Sequence, residues 1–165
     1  MFGQPRQGGG GQRGCGGPRL IMGLLFAGFA LFSYFSQQST NPVTGEKQYI
    51  SVTPEQEVAL GLQAAPEMVQ QFGGVSQDAQ ASAAVEAVGQ RIVQKSAAAR
   101  SEYEYHFTLL GDRNTINAFA LPGGPIFITE ALLGRLTTEG QLAGVLGHEV
   151  GHVLGRHSAE RIAKQ

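Results

Sequence analysis

Residues 140–157 read GQLAGVLGHEVGHVLGRH, and the periodicity of this stretch sets the rest of the interpretation. Thr138-Glu139-Gly140-Gln141 is a helix start with a capping residue and a Gln placed to close a capping box. At about 100° per residue, Leu142, Leu146, Val150 and Val153 fall on one side of that helix, and His148 and His152 fall roughly opposite. One face is therefore expected in a core and the other at a cleft. Residues four apart lie one turn apart on the same face, so His148 and His152 can aim two imidazoles at one point, as two ligands of a Zn²⁺ ion must. Glu149 sits one step round, where a carboxylate can accept a proton from a water that the metal activates. Gly140, Gly144, Gly151 and Gly155 gather beside the histidines. They cost helix propensity, up to about 1 kcal/mol each relative to Ala. Either close approach of another segment or helix packing would account for them.

A zinc site needs a third protein ligand. His157 is the local candidate, but on a continuous helix it points about half a turn away from His148. A metzincin would place its third His at the position held by Ser158. His157 is therefore expected to have a structural role, such as a hydrogen bond to a neighbouring helix, and Glu160 is poorly aimed. The chain stops at Gln165 in mid-helix without a cap. It is expected to be the N-terminal part of a longer domain, and taken alone to bind metal weakly and show little activity.

Upstream, Thr53-Pro54-Glu55-Gln56 is a second capped start, with Pro at the first helical position. Its helix is expected to reach about Phe72, with Pro66 kinking or dividing it. A third helix is expected over roughly Asp78 to Ala98, with Val85, Val88 and Ile92 inward and Glu86, Arg91 and Lys95 on a solvated face. Tyr103 to Leu110 alternates and reads as a strand, with His106 as a structural residue in it. Residues 116–129, INAFALPGGPIFIT, read as two short strands around Leu121-Pro122-Gly123-Gly124-Pro125. Pro keeps to sheet edges and turns, so one strand is expected at an edge. Such an edge either takes an extended peptide by strand addition or is an ordinary hairpin. Glu130 to Leu136 is expected to form a short helix.

The chain has 165 residues and a formal charge of −1, which excludes an electrostatically driven nucleic-acid binder. Cys15 is the only cysteine, so no intrachain disulfide forms. Residues 1–19 are rich in Gly, Gln and Arg and are expected to be a disordered tail. Residues 20–36 are apolar and free of charge, and are expected to be an uncleaved membrane anchor. Bulky Tyr34 and Phe35 end the run where a signal peptide would carry small residues, and Cys15 precedes the run where a lipoprotein Cys would follow it. Arg6, Arg13 and Arg19 keep the tail cytoplasmic and send the remainder out. Residues 37–52 read as a polar linker and 53–165 as the globular part.

HEVGHVLGRHSAER resembles the HtpX/BepA-like zinc metallopeptidases, a family that includes CAAX prenyl endopeptidases, the mitochondrial Oma type and the periplasmic BepA type. The resemblance extends through NAFALPGGPIFITEALL and, more weakly, TPEQEVALGLQAAPEMVQQFGG, so it covers most of 53–165. The single apolar run matches the branch with one anchor. The resemblance implies an α+β, mainly helical zincin-like domain with a small β-sheet. It implies Zn²⁺ held by His148 and His152, Glu149 as the catalytic base, and Asn117, Ala118 and Phe119 as an edge strand gripping substrate backbone. The family's third ligand is a Glu on a later helix, which this chain does not contain. Protein substrates in the envelope, and a quality-control role at a membrane, follow from the resemblance alone. A catalytically incomplete module that binds clients or a partner is the rival reading.

Overall fold

The computed structural model describes residues 38–41, 45, 47–49 and 52–158. The expected tail and apolar anchor, and Glu160, lie outside the described residues. Among the described residues no helix is long and apolar enough to cross a membrane.

Each helix begins where its sequence carries a side-chain acceptor. Helix α1, Pro54–Gln71, starts at Thr53, whose Oγ1 accepts from the Gln56 amide while the Gln56 side chain accepts from the Thr53 amide. These two bonds satisfy donors that a helix end otherwise leaves orphaned. The helix continues through Pro66. Pro66 has no amide to bond the Leu62 carbonyl, and Leu62 lies at the exposed surface of the helix. Helix α2, Ala79–Gln94, is capped by Asp78 and followed by a 3₁₀ turn at Ala97–Arg100. A short helix α3, Glu130–Leu133, is capped by Thr129, and α4, Glu139–Leu154, by Thr138.

Two strands, β1 (Gln38–Thr40) and β2 (Lys47–Tyr49), pair antiparallel with Gln38 opposite Tyr49. What read as a plain linker thus holds a hairpin. The polar composition that suggests a linker also suits a small two-stranded ladder, which buries little surface.

The main sheet has three strands in the order β3 (His106–Leu110), β5 (Pro125–Thr129), β4 (Ala118–Ala120). β3 runs parallel to β5 with His106 opposite Pro125, and β4 runs antiparallel to β5 with Phe119 opposite Phe127. Every residue of the central strand β5 is buried. Side chains alternate across a strand, so Phe107, Leu109, Ile126, Ile128, Ala118 and Ala120 share one face. That face joins Val85 and Val88 of α2 and Leu142, Leu146, Val150 and Val153 of α4 in the core. The opposite face carries a row of rings, with Phe72–Phe119 centroids 5.2 Å apart and Phe119–Phe127 centroids 5.1 Å apart. The four apolar positions read on α4 are the four it buries in the core.

Strand β3 begins later than the alternation suggests. Tyr103 and Tyr105 lead into it but are held by their hydroxyls, Tyr103 donating to Glu57 at 2.8 Å and Tyr105 accepting from Ser101 at 3.2 Å. Glu86, expected on a solvated face, is half-buried instead. It accepts from the Phe107 amide at 3.2 Å and from Gln90 at 2.9 Å, satisfying part of the outer edge of β3. Arg91 does lie at the surface, paired with Glu139 at the start of α4.

Candidate active site

Helix α4 lies beside β4 and presents its two histidines on the side away from the core. His148 is exposed and His152 half-buried. Their Nε2 atoms are 3.0 Å apart and their rings meet edge to face at 83°. Two imidazoles one turn apart therefore direct the same nitrogen toward one point. Glu149, between them in sequence, is only 8% exposed. Among the described residues its carboxylate has no hydrogen-bond or ion-pair partner. Its oxygens are not among the buried polar atoms left without a partner, so the carboxylate reaches solvent, free to meet a cation or a water held by one. The donor set fits a zinc ion as two ligands and a base. Among the described residues no group of three or more His, Cys, Asp or Glu side chains is arranged to hold a metal.

The glycines beside the histidines are not crowded. A Cβ on Gly144, Gly147 or Gly151 would meet nothing within 4 Å. At these three no described segment makes the close approach that their presence suggests, and they leave an open ledge along α4 next to His148, whereas Gly155 is approached closely by the His157 ring.

The helix also ends before the sequence implies. It stops at Leu154, Gly155 forms the cap, and Arg156 takes a left-handed φ of 53°. The turn swings His157 back over the helix end. His157 therefore does not project away as a continuous helix requires, and its Nδ1 lies 2.7 Å from the Nδ1 of His152. Arg156 is drawn into a buried cluster. Its Nε donates to Glu57 Oε1 at 2.7 Å, its Nη2 donates to the same oxygen and, at 2.9 Å, to the Val52 carbonyl. Glu57 is 1% exposed, and Tyr103 donates to its other oxygen. Burial, then the Glu57 hydrogen bond, push the Tyr103 phenol far above its ordinary range. Burial works against the Arg156 guanidinium, but the Glu57 bond and charge outweigh it and hold the pKa above its usual value. Asn41 closes the same junction, its buried amide donating to the Leu154 carbonyl at 2.7 Å. A cavity of about 510 Å³ lined by Asn41, Tyr103, Leu154 and Arg156 lies behind this junction, and neither His148 nor His152 lines it. Sequence reasoning passed over Asn41, Glu57, Tyr103 and Arg156, because each finds its partner far along the chain.

The three residues expected at a substrate edge lie at the open side of the sheet, since β4 is an outer strand. Their roles differ. The Thr129 amide donates to the Asn117 carbonyl at 3.0 Å, the Asn117 amide to Thr129 Oγ1 at 3.1 Å, and the Leu121 amide to the Pro125 carbonyl at 2.8 Å. Bonded pairs alternate along an antiparallel ladder, so Asn117, Phe119 and Leu121 turn their backbone groups inward to β5. Ala118 and Ala120 turn theirs to the open edge. The Phe119 ring packs between Phe72 and Phe127 on the far face. His106 is exposed at the start of β3, near Glu104 at 4.0 Å, and stands apart from the other histidines.

Residues 79–165 match the model of peptidase family M48. The chain belongs to this metallopeptidase family. It is 32% identical over 145 residues to mitochondrial metalloendopeptidase OMA1 of Schizosaccharomyces pombe, a match covering 87% of this chain and 42% of that protein. It is 29% identical over 146 residues to the beta-barrel assembly-enhancing protease of Yersinia pestis, covering 88% of this chain and 29% of that protein. Over 49 residues, 30% of this chain and 10% of the other, it is 47% identical to OMA1 of Arabidopsis thaliana. The chain thus spans less than half the length of these curated relatives.

Proposed function

We propose that this chain carries the catalytic helix of a zinc-dependent metalloendopeptidase, with His148 and His152 as two zinc ligands and Glu149 as the base. The observation that carries this reading is the convergence of two Nε2 atoms 3.0 Å apart, one helical turn from each other, with Glu149 next in the chain to His148. When bound, zinc supplies Lewis acidity that polarises a peptide carbonyl and lowers the pKa of water. Glu149 takes the proton of the attacking water and later delivers it to the leaving amine. The outward backbone groups of Ala118 and Ala120 pair with the extended substrate and align it along α4. Asn117 and Phe119 act one step back, bonding β4 to β5 and wedging the strand in place. The apolar residues 20–36 anchor the protein in a membrane with residues 53–165 on the extracytoplasmic side, and its substrates are misfolded or unassembled envelope proteins. The name of the Yersinia relative, an assembly-enhancing protease, supports that substrate class.

Cleavage of casein, with and without a chelator and in Glu149→Gln, tests the reading. Slow, chelator-sensitive cleavage abolished by Glu149→Gln is expected from the two-ligand site, and metal-dependent cleavage that survives this substitution would overturn the reading. The rival reading, a client-binding module, draws on the two-ligand donor set among the described residues. It predicts client binding without turnover in the same assay.

A further inference from the structure

We infer that His157 is a positioning residue that fixes the tautomer and ring orientation of His152, and that the buried Glu57–Arg156 pair holds it there. The inference rests on the reading of His152 as a zinc ligand. Three observations support it. First, the two Nδ1 atoms are 2.7 Å apart, so one carries a proton and the other accepts it. An imidazole that offers Nε2 to a metal must hold its own proton on Nδ1. His152 is then the donor and His157, protonated on Nε2, the acceptor. The same arrangement lets His152 Nε2 accept from His148 Nε2, 3.0 Å away, when no metal is bound.

Second, the contact is built rather than incidental. His157 returns over α4 only because Arg156 takes a left-handed φ of 53°, a conformation that disfavours any residue with a Cβ. Arg156 is held in it by Glu57, whose side chain is 2% exposed, and by the Val52 carbonyl. Third, the ring folds down onto Gly155, where a Cβ would stand 2.5 Å from His157 Nε2. Glycine leaves room for the imidazole at that place. Outer partners that orient a ligating histidine typically change metal affinity by about 10–100-fold when removed.

The test reads the His152 tautomer by long-range proton–nitrogen NMR in the metal-free protein, at a pH where the spectrum itself shows the ring to be neutral. Zinc affinity is then measured by chelator competition. Wild-type His152 is expected to be protonated on Nδ1. His157→Ala moves it toward the Nε2–H form and weakens zinc by about 10–100-fold. His157→Gln, whose amide oxygen accepts a proton, restores both, and His157→Leu restores neither. Gly155→Ala keeps His157 but displaces its ring, and gives the His157→Ala result. His157 is exposed, so its substitutions leave the fold intact, and a melting curve checks the fold of Gly155→Ala, whose site is buried. His152 protonated on Nε2 in the wild type, or a tautomer unchanged by His157→Ala, would overturn the inference. The tautomer is read without metal, so a failure of wild-type protein to bind zinc counts against the metallopeptidase reading and not against this contact.

Discussion

Replacing Arg156 by Ala is expected to cost about 3–5 kcal/mol of stability, because it leaves the Glu57 carboxylate buried with its charge uncompensated. The side chains are 11% and 2% exposed, so neither partner can turn to water without opening the junction between α1 and the end of α4. Tyr103 still donates one hydrogen bond to Glu57, which places the loss within that range rather than above it. Arg156→Gly should cost about 1 kcal/mol less than the Ala variant, since glycine adopts the left-handed φ freely. Replacing both partners, as in Glu57→Leu with Arg156→Met, should cost less than the sum of the single changes, because no lone charge remains. Urea unfolding followed by circular dichroism measures the wild type, these three variants and the single changes Glu57→Leu and Arg156→Met. At roughly 2–4 °C per kcal/mol for a chain of this size, the Ala variant melts about 6–20 °C lower. A loss under about 1 kcal/mol, a range expected of exposed pairs, or equal losses for Ala and Gly, would refute the reasoning.

Other expectations follow from single contacts. Ala118→Pro removes an amide that faces the open edge and not β5, so the fold should persist while peptide cleavage drops at least tenfold; kinetics alongside a melting curve check this. Gly89→Ala places a Cβ 2.4 Å from the Phe107 ring and should destabilise by about 1–3 kcal/mol in urea, despite the better helix propensity of Ala. The Tyr103 pKa is raised in the fold, so the unfolded chain loses this proton first. Its contribution is full below about pH 10, the value of a free phenol, and is lost as pH rises above it. Melting temperatures between about pH 9 and 11 should therefore fall less steeply in Tyr103→Phe than in the wild type. Asn41→Ala removes the donor to the Leu154 carbonyl and should cost about 1 kcal/mol, with faster amide exchange in the last turn of α4.

Local signals carried most of the fold. Thr53, Asp78 and Thr138 each read as helix starts, and each accepts from a backbone amide inside its helix. The stripe from Leu142 to Val153 fixed the buried face of α4, and with it the side on which His148 and His152 lie. The prolines around Gly123-Gly124 marked a hairpin with one edge strand, β4, and its two glycines turn the chain at φ values of 78° and 127°. Other features depend on partners far apart in sequence. Glu57 and Arg156 are 99 residues apart, and Asn41 and Leu154 are 113 apart. A charged residue that pairs across such a distance has the same local pattern as one on a solvated face, as Glu86 also illustrates. The stop of α4 at Leu154 follows from that long-range pair pulling Arg156 into a left-handed turn. Periodicity around Gly155 extended the helix instead, and so aimed His157 the wrong way. The open ledge of Gly144, Gly147 and Gly151 is the remaining feature that the described residues leave without a contact.

Zinc binding by the metal-free chain, titrated against a competing chelator in the wild type, His148→Ala, His152→Ala and Glu149→Gln, tests the central claim most directly. One zinc per chain is expected in the wild type. Glu149→Gln should bind nearly as well, because Glu149 acts as a base and not as a ligand. Each His→Ala variant should bind at least a hundredfold more weakly while melting like the wild type. Unchanged affinity in His148→Ala and His152→Ala would contradict the account.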